Sequence, residues 1–276
     1  MARSLATLQR RSGVKPPVGI IYGTKGIGKT TLAAGAPNPV LLAIEDGVGM
    51  LSVPSWPDIA AFGDVIEAIG ALYSEEHDHK TLIIDSIDWL EPLVWREVCA
   101  RNGWASIEEP GFGKGYVATL DVWREYLDGI RALRDDRGMM ILQIAHNEVR
   151  RFDSPETDPY DRYQIKLNAR ASALLQEHAD FVGFMTYRIS TKDKDVGFKR
   201  TVTRAVSGGS RVIYVENRPA YLAANRYGMP HAIDLPTTKN AWDHPGEIWA
   251  AFAKYLPEGA PVISASGTPT PHGGKE

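Results

Sequence analysis

Val18-Gly-Ile-Ile-Tyr22 runs directly into Gly23-Thr-Lys-Gly-Ile-Gly-Lys-Thr30, and Thr31-Leu-Ala-Ala34 follows. A short apolar run bounded by glycine reads as a buried parallel strand, and Thr31 to Ala34 as a helical stretch. The octapeptide between them matches G-x-x-x-x-G-K-[ST] in full, in the strand-loop-helix context that gives the pattern its physical meaning. The glycines let the backbone curl until successive N–H groups point inward and cradle a phosphate chain. Lys29 then reaches the β- and γ-phosphates, and Thr30 supplies a hydroxyl to Mg2+. Gly23, Thr24, Lys25, Gly26, Ile27, Gly28, Lys29, Thr30 and Thr31 are the candidate ATP-binding residues.

Working outward, Val40-Leu-Leu-Ala-Ile44, Thr81-Leu-Ile-Ile-Asp85 and Met139-Met-Ile-Leu-Gln-Ile-Ala145 are further apolar runs separated by helix-length intervals. That alternation predicts a parallel sheet with crossover helices. Ile87, Leu90, Val94 and Val98 recur at helical spacing, as do Leu120, Trp123, Leu127 and Ile130, which predicts two amphipathic helices. Glycines crowd Gly111-Phe-Gly-Lys-Gly115, so Asn102 to Tyr116 reads as a mobile loop. Asn147 to Lys166 lacks periodicity and reads as a long loop, a feature that in compact domains is usually functional or disordered. Phe181 to Glu216 alternates as an antiparallel hairpin, Glu247 to Tyr255 reads as a closing helix, and the end of the chain is rich in Gly, Pro, Ser and Thr. The expected organisation is a basic arm at 1–17, one ATPase domain at 18–256 and a disordered tail at 257–276. The fold class is α/β, a mainly parallel central sheet flanked by helices with a C-terminal antiparallel extension.

The 276 residues are 43% apolar, enough for a full core. With 31 Lys+Arg against 34 Asp+Glu, the net charge of -3 excludes a globally basic nucleic-acid coat, so any polyanion site must be a local patch. One cysteine, Cys99, can form no internal disulfide, which suits a reducing compartment. No stretch has the length of a signal or membrane-spanning segment, and the expectation is a cytoplasmic protein that does not enter membranes. Cys99 reads as a core residue, and the seven tryptophans sit mostly at helical core spacing, with none assigned to base stacking.

A phosphate loop needs a carboxylate for the metal shell, and Asp85 ends its apolar run where that role requires. Thr30 and Asp85 are therefore the candidate Mg2+ residues. Glu45, at the end of the second apolar run, is the candidate to position water, with Asp46 as its rival. His146 follows the fourth strand as a candidate γ-phosphate sensor, and Gln143 inside that strand is a weaker version of the same idea.

These residues resemble the RecA-like ATPases, and among them the short phage-encoded ATP-binding proteins regarded as single-strand annealing recombinases. The likeness covers roughly Val18 to Pro236. Ala43-Ile-Glu45-Asp-Gly47 resembles the family's D-x-E-x-G pattern except at Ala43, which assigns the catalytic glutamate to Glu45. Ile84-Asp85-Ser86 resembles its Walker B motif, and His146 its strand-end sensor, although Gln143 is an alternative alignment. Tyr221 to Pro230 resembles a subunit-interface stretch in which Arg226 would reach a neighbour's γ-phosphate. The resemblance places DNA-binding loops near Gly111 to Tyr116 and Asn147 to Lys166, with Lys114, Arg150 and Arg151 as phosphate contacts among Phe112, Tyr116, Phe152, Tyr160 and Tyr163. A solvated loop competes with that reading, because Glu148, Asp153, Glu156, Asp158 and Asp161 share the second segment.

Arg188 to Arg211 adds a local basic excess, either a second backbone-binding surface or a solvated edge. The implied partners are single-stranded DNA, further copies of the chain in a ring or filament, and a single-strand-binding protein; the implied place is a bacterial host's cytoplasm. Two other readings stay open: a P-loop kinase of a small acceptor, and a nucleotide-gated packaging or replication module.

Overall fold

The computed structural model describes residues 13–45, 51–195, 201–237 and 243–257. Most of the expected N-terminal arm, Asp46, and nearly all of the expected tail lie outside them. So do the side chains of Lys192, Lys194, Lys199, Arg200 and Arg204 from the basic hairpin.

The sequence folds as one mixed sheet with helices on both faces. In chain order the elements are β1 (Val18–Gly23), α1 (Lys29–Ala34), β2 (Pro39–Ala43), α2 (Phe62–Ser74), β3 (Thr81–Asp85), α3 (Ile87–Asn102), α4 (Lys114–Asp136) and β4 (Met140–Phe152). There follow β5 (Tyr160–Ile165), α5 (Ala169–His178), β6 (Phe181–Asp195), β7 (Thr201–Tyr214), β8 (Ala224–Asn225), β9 (Ala232–Leu235) and α6 (Pro245–Ala253). The sheet order is β2-β3-β4-β1-β6-β7-β9, with β5 on β4 and β8 on β6. Strands β2, β3, β4, β1 and β6 are parallel, and β7 and β9 extend them antiparallel. This is the predicted α/β architecture.

Every residue of β1 is buried, because it is hydrogen-bonded on both edges and covered on both faces. One face packs Ile20 and Tyr22 against Leu90, Val94, Trp123 and Tyr126 of α3 and α4. The other packs Ile21 against Ile27, Leu32, Trp249 and Phe252 around α1 and α6. Each large side chain so buried contributes about 1.5–3 kcal/mol of hydrophobic free energy. Because the five strands are parallel, their carboxyl ends gather at one edge, the place where such sheets bind ligands. Among the described residues no helix is long and apolar enough to cross a membrane.

Four local expectations need correction. Asn147 to Lys166 is not a loop: β4 continues to Phe152 and pairs antiparallel with β5, Arg150 opposite Arg162. Its alternation is hidden because the inward place on β5 is taken by Arg162, buried with its guanidinium 4.8 Å over the Phe152 ring, where an apolar residue would be expected. The glycine-rich segment stops at Gly113, so Lys114, Gly115 and Tyr116 open α4. The closing helix begins at Pro245, whose fixed φ suits a first turn, and ends at Ala253. Trp89 is 51% exposed and Cys99 is half-buried; both line a groove with Trp95 and Trp104 instead of entering the core.

Candidate functional site

The phosphate loop occupies the carboxyl end of β1. Gly23 pairs with His146 of β4 on one side and Met185 of β6 on the other, and a Cβ there would stand 2.1 Å from the Met185 carbonyl oxygen. Only glycine fits so tight a ladder. Gly28, with φ of 102°, takes the left-handed turn that starts α1. Within the loop the Lys29 ammonium donates to the carbonyls of Gly23 (3.0 Å) and Thr24 (3.1 Å). Burial lowers its pKa, opposed by the charges of Asp85, Asp88 and Glu45. An anion in the loop would relieve that desolvation.

On the neighbouring strand ends the register aligns Ala43 with Asp85 and Asp85 with Ile144. The Thr30 hydroxyl donates to Asp85 Oδ2 at 2.6 Å. Burial raises the Asp85 pKa, opposed first by that hydrogen bond. A hydroxyl and a carboxylate meeting at one point make a hard oxygen donor pair, suited to a divalent cation that takes its other ligands from phosphate and water. Among the described residues no cluster of three or more His, Cys, Asp or Glu competes as a metal site.

Glu45 is anchored through its backbone N–H to the Asp85 carbonyl at 3.1 Å. Its Oε1 lies 3.3 Å from Lys25 Nζ, and its Oε2 lies 3.8 Å from His146 Nδ1. Asp88, in the first turn of α3, accepts from the His146 backbone N–H (2.9 Å) and faces Nδ1 at 3.0 Å. Burial works against its charge, but the hydrogen bonds and charge of His146, together with Ser86, outweigh it and the Asp88 pKa is lowered. An ionised Asp88 requires the proton on His146 Nδ1.

The structure therefore brings together Lys25, Lys29, Thr30, Glu45, Asp85 and His146. Of the two candidate sensors only His146 stands beside Glu45; Gln143 is fully buried on the other side of β4's pleat and accepts from the Tyr126 hydroxyl at 2.9 Å. Asp88 was missed; its signal is a carboxylate three residues past Asp85, one helical turn from the strand end.

Arg226 is not brought to its own phosphate loop. It follows β8, which pairs with the start of β6, and it lies 3.6 Å from Asp180, whose backbone N–H is bonded to Val18. That is the amino-terminal edge of the sheet, opposite the site.

The expected DNA contacts divide. Lys114 is exposed on α4 and Phe112 is fully exposed before it. Arg150 donates to the Leu167 carbonyl (2.8 Å) and pairs with Glu148 (2.7 Å), while Arg151 lies 3.6 Å from Asp153. Tyr116, Arg150 and Lys166 do line one groove of about 370 Å3, in company with Asp88, Glu91 and Glu148. Glu91 is buried there and accepts the Asn168 N–H; burial pushes its pKa up to about 7.

A family model described as an AAA domain matches residues 15–227, and the chain belongs to that family. It is a P-loop nucleoside triphosphatase, with the loop seated as its motif requires. Among solved structures, that of the RadB recombinase aligns at 15% sequence identity and a TM-score of 0.45, over 83% of this chain and 91% of that one. No curated protein matches the chain.

Proposed function

We propose that the protein is a RecA-like Mg-ATPase that assembles on single-stranded DNA and couples hydrolysis to annealing or recombination. The observation that carries the hydrolytic half is the placement of Glu45 beside the Asp88-held His146, at the strand ends next to Lys29, Thr30 and Asp85. Glu45 holds the attacking water and accepts its proton, a contribution of about 10² to 10⁴ in rate for such groups. Lys29 leaves its loop carbonyls for the β- and γ-phosphates. His146, oriented by Asp88, meets the γ-phosphoryl, and Thr30 with Asp85 would hold the Mg2+ that neutralises developing charge.

The DNA half is supported by continuity. Strand β4 carries His146 at the nucleotide edge and Arg150 in the adjoining groove, so one rigid strand touches both. Arg226 lies on the far edge of the sheet, so a nucleotide role for it requires a neighbouring subunit and hence a ring or filament with sites between subunits.

The test is steady-state ATP hydrolysis with and without single-stranded DNA. Stimulation is expected, and turnover that ignores DNA but requires a small acceptor would establish the kinase reading instead. Mixing Arg226→Ala with Glu45→Gln should restore part of the activity, since mixed assemblies contain sites with both residues intact. Absence of rescue in demonstrably co-assembled mixtures refutes action between subunits.

A further inference from the structure

Arg211 stands in β7 opposite Tyr187 of β6 and is 8% exposed. Its Nη2 donates to the Pro236 carbonyl at 2.8 Å. Among the described residues no carboxylate pairs with it, and burial lowers its pKa. Arg134, half-buried at the other end of the sheet, is paired with Asp180 at 2.7 Å, and the buried Arg162 is stacked on Phe152 and donates to Asn217 Oδ1 at 2.8 Å. A buried guanidinium without a counter-ion is costly unless an anion completes it.

The place of Arg211 says which anion. A Cβ on Gly28 would stand 2.7 Å from Arg211 Nη1, so the guanidinium lies against the phosphate loop, one residue before Lys29. The sheet order puts β1 between two groups of residues. Asp85, His146 and Glu45 lie on the β2-β3-β4 side, and Arg211 lies two strands away on the other. A nucleotide with its γ-phosphate toward the first group turns its α-phosphate and nucleoside toward β6 and β7.

We propose that Arg211 binds the α-phosphate of the nucleotide, with the exposed Tyr187 flanking it on the nucleoside side. The inference rests on the nucleotide site proposed above and not on its DNA half. Arginine is suited to the task because its planar fork gives two parallel hydrogen bonds to one phosphate. Since ADP and ATP share the α-phosphate, Arg211 contributes equally to both, and it adds nothing to the chemical step.

The experiment titrates ADP and a non-hydrolysed ATP analogue into wild type, Arg211→Ala and Arg211→Met by calorimetry, without DNA, and measures kcat at saturating ATP. Both variants should lose about 10- to 100-fold in affinity for each nucleotide, as for a hydrogen bond to a charged group, with kcat within about twofold of wild type. Methionine keeps the apolar stem, so it carries the test if alanine lowers the melting temperature of the unliganded protein. Unchanged affinities would make Arg211 a packing residue, and a loss confined to the ATP analogue would move it to the γ-phosphate; either result overturns the proposal. A protein that binds ADP but ignores DNA loses only the DNA half of the function, and wild type that binds no ADP refutes the nucleotide site itself.

Discussion

Glu91→Gln should make the protein more stable at pH 8 and leave it nearly unchanged at pH 4. Glu91 sits one helical turn after Asp88 on α3, buried among Glu148 and Arg150 of β4 and near Lys166, with both carboxylate oxygens on the Asn168 N–H at 2.9 and 3.1 Å. Its folded pKa is raised to about 7 from 4.5, burial being the largest cause, with Asn168 and Arg150 opposing and Glu148 and Asp88 adding. A carboxyl whose pKa is raised by folding binds more protons folded than unfolded, so stability falls as pH climbs from about 4.5 to about 7. The full loss is about 3 kcal/mol, at about 1.4 kcal/mol per pKa unit. Glutamine mimics the protonated acid in size and can still accept from Asn168, so it removes the pH-dependent part. Urea unfolding of both proteins at pH 4, 6 and 8 should show curves that coincide at the acid end and separate by up to about 3 kcal/mol at the alkaline end. Parallel pH profiles, with a constant offset or none, would refute the account of Glu91 as a buried carboxyl held near neutrality.

Lys29→Met should abolish tight nucleotide binding while leaving the unliganded protein no less stable, because burial already disfavours the lysine's charge; calorimetry with ATP and a thermal melt check the two halves. Glu45→Gln should bind ATP normally and hydrolyse it at least about a hundredfold more slowly, read as single-turnover phosphate release, and unchanged turnover would move the role elsewhere. Asp88→Asn should slow hydrolysis about tenfold or more at unchanged ATP affinity, because the amide no longer enforces the Nδ1 proton on His146; nitrogen-15 NMR of the imidazole would report the altered tautomer. Lys114→Ala should weaken binding to single-stranded DNA and lower its salt slope by about one, as for the loss of one phosphate contact.

The phosphate loop and the strands around it were legible because their signals are local: an apolar run, a glycine-spaced turn and a helix start within some fifteen residues. Asp85 and Glu45 were legible for a related reason, since each ends an apolar run and parallel strands end at one edge. What escaped depended on facing. Gln143 and His146 differ by three positions, and the odd step along a strand puts one against Tyr126 and the other beside Glu45. The β4–β5 hairpin escaped because its inward place holds Arg162 stacked on Phe152, which a polarity pattern records as loop. Arg211 looked like one more charge in a basic hairpin, and only the strand order, with β7 beside β6 and β6 beside β1, turns it toward Gly28.

The first two turns of α3 bear on how events at the groove can reach the nucleotide. Asp88 fastens the end of β4 at His146, and Glu91, three residues on, fastens Asn168 beyond β5. Hairpin β4–β5 springs from the first of these points and returns through the second, so a ligand that shifts the hairpin must strain one bond or move α3 with it. The two fastenings differ in strength. Asp88 is held in its charged form by two contacts from His146, and hydrogen bonds to a charged group are worth about 1.5–3 kcal/mol. Glu91 is near its titration point at neutral pH, so protonation weakens its grip on the Asn168 N–H. The hairpin therefore gives first at Glu91, while His146 keeps its place beside Glu45. Phosphates entering the groove near Arg150 and Lys166 would compete with Glu148 and Glu91 for those cations, and the bond they loosen is the Glu91 one. An anion that loosened the hairpin would thus act at its Asn168 end, one helical turn along α3 from the Asp88–His146 bond.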